Sequence, residues 1–299
     1  MKVVVTGSAG LLGSRVTAAL MVDGHDVVAT DVRAPDGEAA ATTRVIDLCQ
    51  IEAVRELVTG ADVVCHLGNL PSTVPSGRSK GYINNTAANY NVYLAATEAG
   101  VRRIVYASSV QAYGCFGFTS APGDGNFTPP RYLPLDEDHP LQPADAYPLS
   151  KATGEWIAAS FCRAIPDLTA WSLRFTGIRV PQPPRPPHFG PRNKHGVSPR
   201  LMLGGMCTWV HMDDAIRATV LACAADRPGH TPLNIVAQTS RPAWTPEALA
   251  ALYGSVPEFR RPVLPEQSLV SGDRAEQLLG FRAAHDEPTM EPAQPTVGG

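Results

Sequence analysis

Thr6-Gly7-Ser8-Ala9-Gly10-Leu11-Leu12-Gly13 is the stretch on which the reading of this chain turns. Before it lies Lys2–Thr6, a β-branched run that suits a buried parallel strand. After it, Leu12, Val16, Ala19 and Leu20 recur at helical spacing and predict a helix over Leu11–Val22. Between a strand and a helix, glycines serve where the chain turns tightly, where backbone nears a pyrophosphate, and where helix packs on strand. The helix N-terminus then offers free N–H groups to phosphates. A glycine pattern alone is weak; the strand before and the helix after give it meaning. Gly7, Ala9, Gly10, Leu11 and Leu12 are therefore candidate cofactor contacts.

The alternation repeats outward. Residues 27–30 read as a second strand ending at Asp31, 44–46 as a third, Ile51–Val58 as a helix and 63–67 as a fourth strand. Residues 82–99 form a long helical pattern stopped by Gly100, and 103–107 a fifth strand. Residues 147–163 read as a helix, 169–175 as a sixth strand, 213–224 as a helix and 232–236 as a strand, with short helices at 246–253 and 274–279. Repeated strand–helix–strand units predict an α/β fold, a Rossmann-type doubly wound parallel sheet with helices on both faces. Residues 1–175, with 208–237 returning, make up the dinucleotide domain; 176–207 and 238–282 form a small, loop-rich C-terminal substrate part; 283–299 read as a flexible tail.

Composition narrows the class. The 299 residues include 28 prolines and 26 glycines, but residues 1–120 hold only Pro35, Pro71 and Pro75. Fifteen prolines fall in 121–200, so the first part can be regular and the middle must be rich in loops. A net charge of −3 and a pI near 6.2 argue against nucleic acid as a partner. No apolar run approaches the ~20 residues of a membrane helix, and the N-terminus is too short in apolar residues for a signal peptide. Six scattered cysteines without paired spacing point to a reduced, cytoplasmic protein without structural metal.

Asp31 lies 18 residues after Gly13, where a carboxylate can accept both ribose hydroxyls and repel a 2′-phosphate, which favours NAD over NADP. Arg33 pulls the other way. Asp47 and Leu48 stand where they can flank an adenine, or Asp47 can cap a helix. Tyr147 and Lys151, four apart, share one helix face. Pro148 is no obstacle if it falls in the first turn. A tyrosine near its ordinary pKa of ~10 is a poor base at neutral pH, and a neighbouring ammonium favours its phenolate. Ser108-Ser109-Val110-Gln111-Ala112-Tyr113-Gly114 follows the fifth strand, at the carboxyl edge where ligands bind in such sheets.

The TGxxGxxG-like loop, Asp31, His66-Leu67, Asn85, the SSxxxYG-like stretch, the YxxxK pair, Arg174-Phe175, residues 209–214 and Leu278-Leu279-Gly280-Phe281 occur in order along most of the chain. Together they resemble the extended short-chain dehydrogenase/reductase family, also called the NAD-dependent epimerase/dehydratase family. The resemblance implies Tyr147 as catalytic base, Lys151 as the residue that lowers its pKa and holds the ribose, and Ser109 as the hydrogen-bond partner of the reacting hydroxyl. Ser109 can equally cap a turn. Leu67, Gly68, Asn85, Ala107, Ser108 and Phe175 join the cofactor contacts by the same resemblance, with a structural asparagine as the other reading of Asn85. Asn69, Gln111 and Thr176 join Ser109 and Tyr147 on the substrate side. One of Asp213 and Asp214 would cap the following helix, His211 would pack at the domain junction, and His66 and Cys115 are structural or bystander residues. A homodimer through two long helices is the family's habit.

Residues 168–212 contain no Asp or Glu but carry Arg174, Arg179, Arg185, Arg192, Lys194 and Arg200. This is a solvated loop with partners elsewhere or an anion clamp, to which Arg78 and Lys80 can add; arginine forks suit phosphate and carboxylate. Arg185, Arg192 and Arg200 are taken as substrate contacts. Val110-Gln111, where the 4,6-dehydratase branch has Asp-Glu, argues against dehydration, and Thr176-Gly177 departs from the Asn of nucleotide-sugar members. Thr208-Trp209 resembles uronate dehydrogenases. The expectation is an NAD-dependent epimerase of a nucleotide sugar or related anionic sugar, working by hydride abstraction and return. The alternatives are an NAD-dependent dehydrogenase of a sugar acid releasing NADH and, last, a non-catalytic NAD(P)-binding regulator.

Overall fold

The computed structural model of the protein describes residues 1–34, 43–70, 77–116, 128–180, 206–240 and 243–286. The elements run β1 (Lys2–Thr6), α1 (Leu11–Val22), β2 (Asp26–Asp31), β3 (Arg44–Val45), α2 (Ile51–Val58), β4 (Val63–His66), α3 (Arg78–Glu98) and β5 (Arg103–Ser109). A 3₁₀ turn (Val110–Tyr113) follows, then α4 (Ala146–Ala164), β6 (Thr169–Phe175), β7 (Gly177–Arg179), β8 (Trp209–His211), α5 (Met212–Ala224), β9 (Gly229–Ile235), α6 (Pro246–Tyr253) and α7 (Asp273–Leu279).

Seven strands pair in the order β3-β2-β1-β4-β5-β6-β9, every pair parallel. β7 and β8 form a separate parallel pair. The central strands are apolar on both faces, because helices cover both. On one face Val3, Val5, Cys65, Val105 and Leu173 pack with Val16 and Leu20 of α1 and with α5. On the other, Val4, Val64 and Ile104 pack with α2, α3 and Ala158 of α4. A third cluster joins Val110, Tyr113, Leu133 and Leu135 to Trp244, Leu249, Tyr253 and Val270. Val110, Tyr113, Leu133 and Leu135 thus pack with the C-terminal part.

The order of strands sets the site. The chain runs outward from β1 to β3 and then back across to β4, so the strand order reverses between β1 and β4, and the carboxyl ends of these two strands mark the switch point. Among the described residues no helix is long and apolar enough to cross a membrane.

The expected flexible tail is corrected over 283–286. Ala283 is buried, and Asp214 of α5 accepts from the backbone N–H of Ala284 (3.0 Å) and His285 (3.0 Å). Burial alone would raise the Asp214 carboxyl, but these bonds and Arg217 hold it below its usual range. The cap of α5 is corrected as well. His211, not an aspartate, stands at the N-cap, its Nδ1 accepting from the N–H of Asp213. His211, Asp213 and His285 form the one cluster of potential metal ligands among the described residues. The His211 Nδ1 lone pair is spent on the cap.

Candidate active site

β1 hands the chain to α1 through a turn that admits no side chain at Gly7. Gly7 has φ +71°, and a Cβ there would lie 2.8 Å from the backbone of Gly68. A Cβ on Gly13 would lie 2.0 Å from the carbonyl oxygen of Gly7. The loops after β1 and β4 are therefore in direct contact, and a Cβ on Gly68 would meet Gly7, Leu48 and Thr6 at 3.0 Å. Gly10 caps α1 without a side-chain bond, so the first-turn N–H groups of Leu11, Leu12 and Gly13 are free to bind phosphate oxygens. Asp31 ends β2 with its Oδ2 accepting from Ala9 N–H at 3.0 Å, which places a carboxylate against the loop. Arg33 is exposed. Asp47 accepts from Cys49 N–H at 2.9 Å, a turn contact, and Leu48 is buried beside Gly68. A glycine cradle, uncapped N–H groups and a carboxylate at the end of β2 fit a dinucleotide.

β5 delivers Ser109 to the same edge. Ser109 caps the 3₁₀ turn, its Oγ accepting from Gln111 N–H at 3.2 Å, so the capping reading is realised. Asp145 caps α4 by accepting from Ala146 N–H at 2.8 Å. Pro148 falls in the first turn, where a missing N–H costs nothing. Tyr147 and Lys151 then lie one turn apart, facing β5. Lys151 Nζ donates to Ala107 O at 2.7 Å and to Asn69 Oδ1 at 2.9 Å, and lies 5.6 Å from the centre of the Tyr147 ring. Gly154 lets the helix sit this close, since a Cβ there would lie 2.5 Å from the Tyr106 hydroxyl.

The expectation that Lys151 lowers the Tyr147 pKa is corrected: the protein's own groups leave it raised. Burial pushes it up to about 12, against the pull of its hydrogen-bond partner Ser109. Burial also brings Lys151 down to about 7, with Glu155 opposing. Both shifts favour uncharged forms.

Other predicted residues occupy supporting places. The Ser108 hydroxyl donates to Glu155 Oε1 at 2.5 Å, beneath the site. Asn85 is buried, with Oδ1 accepting from Leu70 N–H (2.7 Å) and Nδ2 donating to Leu70 O (3.0 Å) and Ser150 Oγ (3.2 Å), so its amide braces the loop after β4 against α4. Leu67 is half-buried, and its N–H donates to Thr6 O. Phe175 pairs with Ser109 in register across the sheet. The Thr176 hydroxyl donates to Ile235 O at 3.2 Å. Asn69 turns its carbonyl to Lys151, and Gln111 is half-buried beside Ser109 with no hydrogen-bond partner for its Oε1 among the described residues. His66 is buried, and the Cys115 thiol is pushed up to about 12 by burial.

Arg174 is a correction to the anion clamp: it is buried in a two-bond pair with Glu155, at 2.9 and 2.6 Å. Arg185, Arg192, Lys194 and Arg200 lie outside the described residues. Sequence reasoning missed Glu155 and Asn89. Glu155 stands one turn beyond Lys151 on the same helix face, and Asn89 one turn beyond Asn85, so helical spacing from known site residues was the available signal.

The model of the "NAD dependent epimerase/dehydratase family" matches residues 3–236. A UDP-glucose 4-epimerase of Mycolicibacterium smegmatis is 27% identical, over 94% of this chain and 93% of that protein. A uronate dehydrogenase of Pseudomonas syringae is 26% identical, over 81% and 77%. A crystal structure of a short-chain dehydrogenase/reductase superfamily protein from Agrobacterium tumefaciens with bound NAD superposes with a TM-score of 0.69 at 24% identity, covering 95% and 93%. With the glycine cradle and the Ser109–Tyr147–Lys151 edge in place, the chain belongs to the NAD-dependent epimerase/dehydratase family and is an NAD-dependent enzyme of that family.

Proposed function

We propose that the protein epimerises an anionic sugar, with nucleotide sugars the leading class, by oxidising one secondary alcohol to a transient ketone and reducing it on the other face. The observation that carries this is Ser109, Tyr147 and Lys151 converging at the carboxyl edge beside a loop that fits a dinucleotide. NAD, when bound, supplies the hydride acceptor and a positive ring. Tyr147 Oη accepts the proton of the reacting hydroxyl and later returns it. Ser109 Oγ hydrogen-bonds the same oxygen, and the Lys151 ammonium favours the phenolate. Gly7, Ala9, Gly10, Leu11 and Leu12 take the pyrophosphate, and Asp31 the ribose. Similarity to the M. smegmatis epimerase over nearly the whole chain supports the reading.

A second reading is oxidation of a sugar acid with release of NADH, favoured by Thr208-Trp209 and by the uronate dehydrogenase relative. In either case the protein is read as a homodimer through α3 and α4, whose Ile83, Tyr90 and Trp156 are exposed. Incubation with nucleotide sugars and sugar acids, with and without added NAD, separates the two. Isomer formation without net NADH is expected; NADH rising in step with product overturns the epimerase. Tyr147→Phe should lower turnover ~10²–10⁴-fold, and full turnover in that variant overturns the catalytic assignment.

A further inference from the structure

Lys151 is held from the far side by a buried polar chain that the reaction does not use. An ammonium can only donate, so the Asn69 atom 2.9 Å from Nζ is its carbonyl oxygen. Asn69 Nδ2 then donates to Gly68 O (2.8 Å) and to Asn89 Oδ1 (2.9 Å). Asn89 Oδ1 also receives His66 Nε2 at 2.9 Å, so that nitrogen carries the proton, and Nδ1 accepts from the Thr6 hydroxyl at 2.8 Å. Asn89 Nδ2 donates to the Tyr106 hydroxyl at 3.2 Å. Thr6 Oγ1 accepts from Gly68 N–H at 3.1 Å, which closes the chain on the glycine loop. The Gly68 carbonyl, which can only accept, and the Lys151 ammonium, which can only donate, fix the Asn69 amide, and Asn69 in turn fixes Asn89 and His66. An asparagine is nearly symmetric in shape, and it is Gly68 and Asn89 together that keep its amide from turning N–H groups toward the ammonium.

We propose that Asn69 is the positioning residue for Lys151: its carbonyl, kept facing Nζ by Asn89 and His66, stabilises the charged lysine and ties the catalytic helix to the glycine loop. The inference rests on the role given to Lys151 above. The groups facing Lys151 are Tyr147 and Glu155 from α4, Tyr106 and the Ala107 carbonyl from β5, and His66 from β4, with Arg174 of β6 paired to Glu155. His66 is kept neutral, its pKa brought down to about 4 by burial and by the charge of Lys151 against the Asn89 bond. A neutral His66 is the form the chain requires.

The chain has four lysines, Lys2, Lys80, Lys151 and Lys194. Protein labelled with ¹³C at lysine Cε therefore gives four resolvable signals, and Lys151→Met identifies the third without any cofactor or turnover. Titrated by NMR, the wild-type Lys151 signal should turn over near pH 7, while Asn69→Ala loses a hydrogen bond to a charged group and should turn over roughly one pH unit lower. Asn89→Leu should shift it the same way by less, and Asn69→Asp, which adds a carboxylate, should shift it upward. A wild-type midpoint above 10 overturns the buried-lysine reading itself. A wild-type midpoint near 7 that moves by less than about 0.3 in both Asn69 variants leaves that reading standing and overturns the positioning role, because a merely structural asparagine would not set the titration.

Discussion

Replacing Arg174 by Met tests what lies beneath the active site. The guanidinium donates through Nε and Nη2 to the two oxygens of Glu155 (2.9 and 2.6 Å) and through Nη1 to the Tyr113 hydroxyl (2.8 Å). Glu155 Oε1 takes the Ser108 hydroxyl as well. The side chains are 4% and 2% exposed. Arg174→Met leaves a buried carboxylate with one hydroxyl, and breaking such a pair from one side costs about 3–5 kcal/mol. That is a large share of the roughly 5–15 kcal/mol that holds a typical protein folded. Glu155→Leu strands the guanidinium and should cost a similar amount. In the double variant neither charge is left alone, so its loss should fall at least about 2 kcal/mol short of the sum. Urea unfolding of the four proteins, followed by circular dichroism, closes the cycle. Single losses that add to within about 0.5 kcal/mol would refute the coupling. An Arg174→Met protein of wild-type stability with a raised KM would instead return Arg174 to the substrate.

Three further outcomes follow from the geometry. In Gly13→Ala the new Cβ meets the Gly7 carbonyl, a backbone atom that cannot step aside, so stability should fall by about 1–3 kcal/mol and NAD binding with it; wild-type affinity by fluorescence titration would overturn the cradle. Asp31→Ala removes the carboxylate beside Ala9 and should relax the preference for NAD over NADP, read as the ratio of kcat/KM values, and an unchanged ratio refutes the assignment. For Lys151, burial lowers the folded pKa to about 7 from an ordinary 10.5, so between these values the unfolded chain binds the extra proton. Its contribution to stability therefore rises with pH across that window, by up to about 1.4 kcal/mol per unit. The stability of wild type relative to Lys151→Met should improve from pH 7 to pH 9, and a difference flat in pH would show that Lys151 keeps an ordinary pKa.

The elements with clear periodicity were legible to the residue. Lys2–Thr6, Leu11–Val22, Ile51–Val58, Thr169–Phe175 and Pro246–Tyr253 have the bounds their patterns predict. Departures have local causes. α3 starts at Arg78 rather than 82 because Arg78-Ser79-Lys80-Gly81 has no apolar stripe, although an exposed first turn needs none. β9 starts at Gly229 and runs through Pro232, which is tolerated because β9 is at the sheet edge. β5 runs on to Ser109 because polar Ser108 finds Glu155 in the interior. Tyr147, Lys151 and Ser109 could be read because their chemistry needs fixed residue types at fixed spacing. Glu155, Asn89 and the inward turn of Asn69 could not, because hydrogen bonds among distant elements decide them. Arg174 misled for the same reason, since a run of basic residues does not show that the matching carboxylate comes from another helix.

The protein arranges its polar groups unequally around the catalytic pair. The lysine receives the Ala107 and Asn69 carbonyls, with Glu155 one turn away, all favouring its charge against burial. Among the described residues the tyrosine receives Ser109 alone. A phenol pushed up to about 12 is not a base at neutral pH, so its activation is conditional on a positive charge arriving beside it. The ultraviolet tyrosinate signal of wild type minus Tyr147→Phe isolates this one phenol among eight tyrosines. In the protein alone the difference should stay flat up to pH 10. With saturating NAD the midpoint should fall, each unit representing about 1.4 kcal/mol of coupling between cofactor charge and phenolate. A midpoint below pH 9 without cofactor would mean that the protein itself makes the base. The asymmetry of hydrogen bonds around Tyr147 and Lys151 would then have no bearing on when the proton leaves.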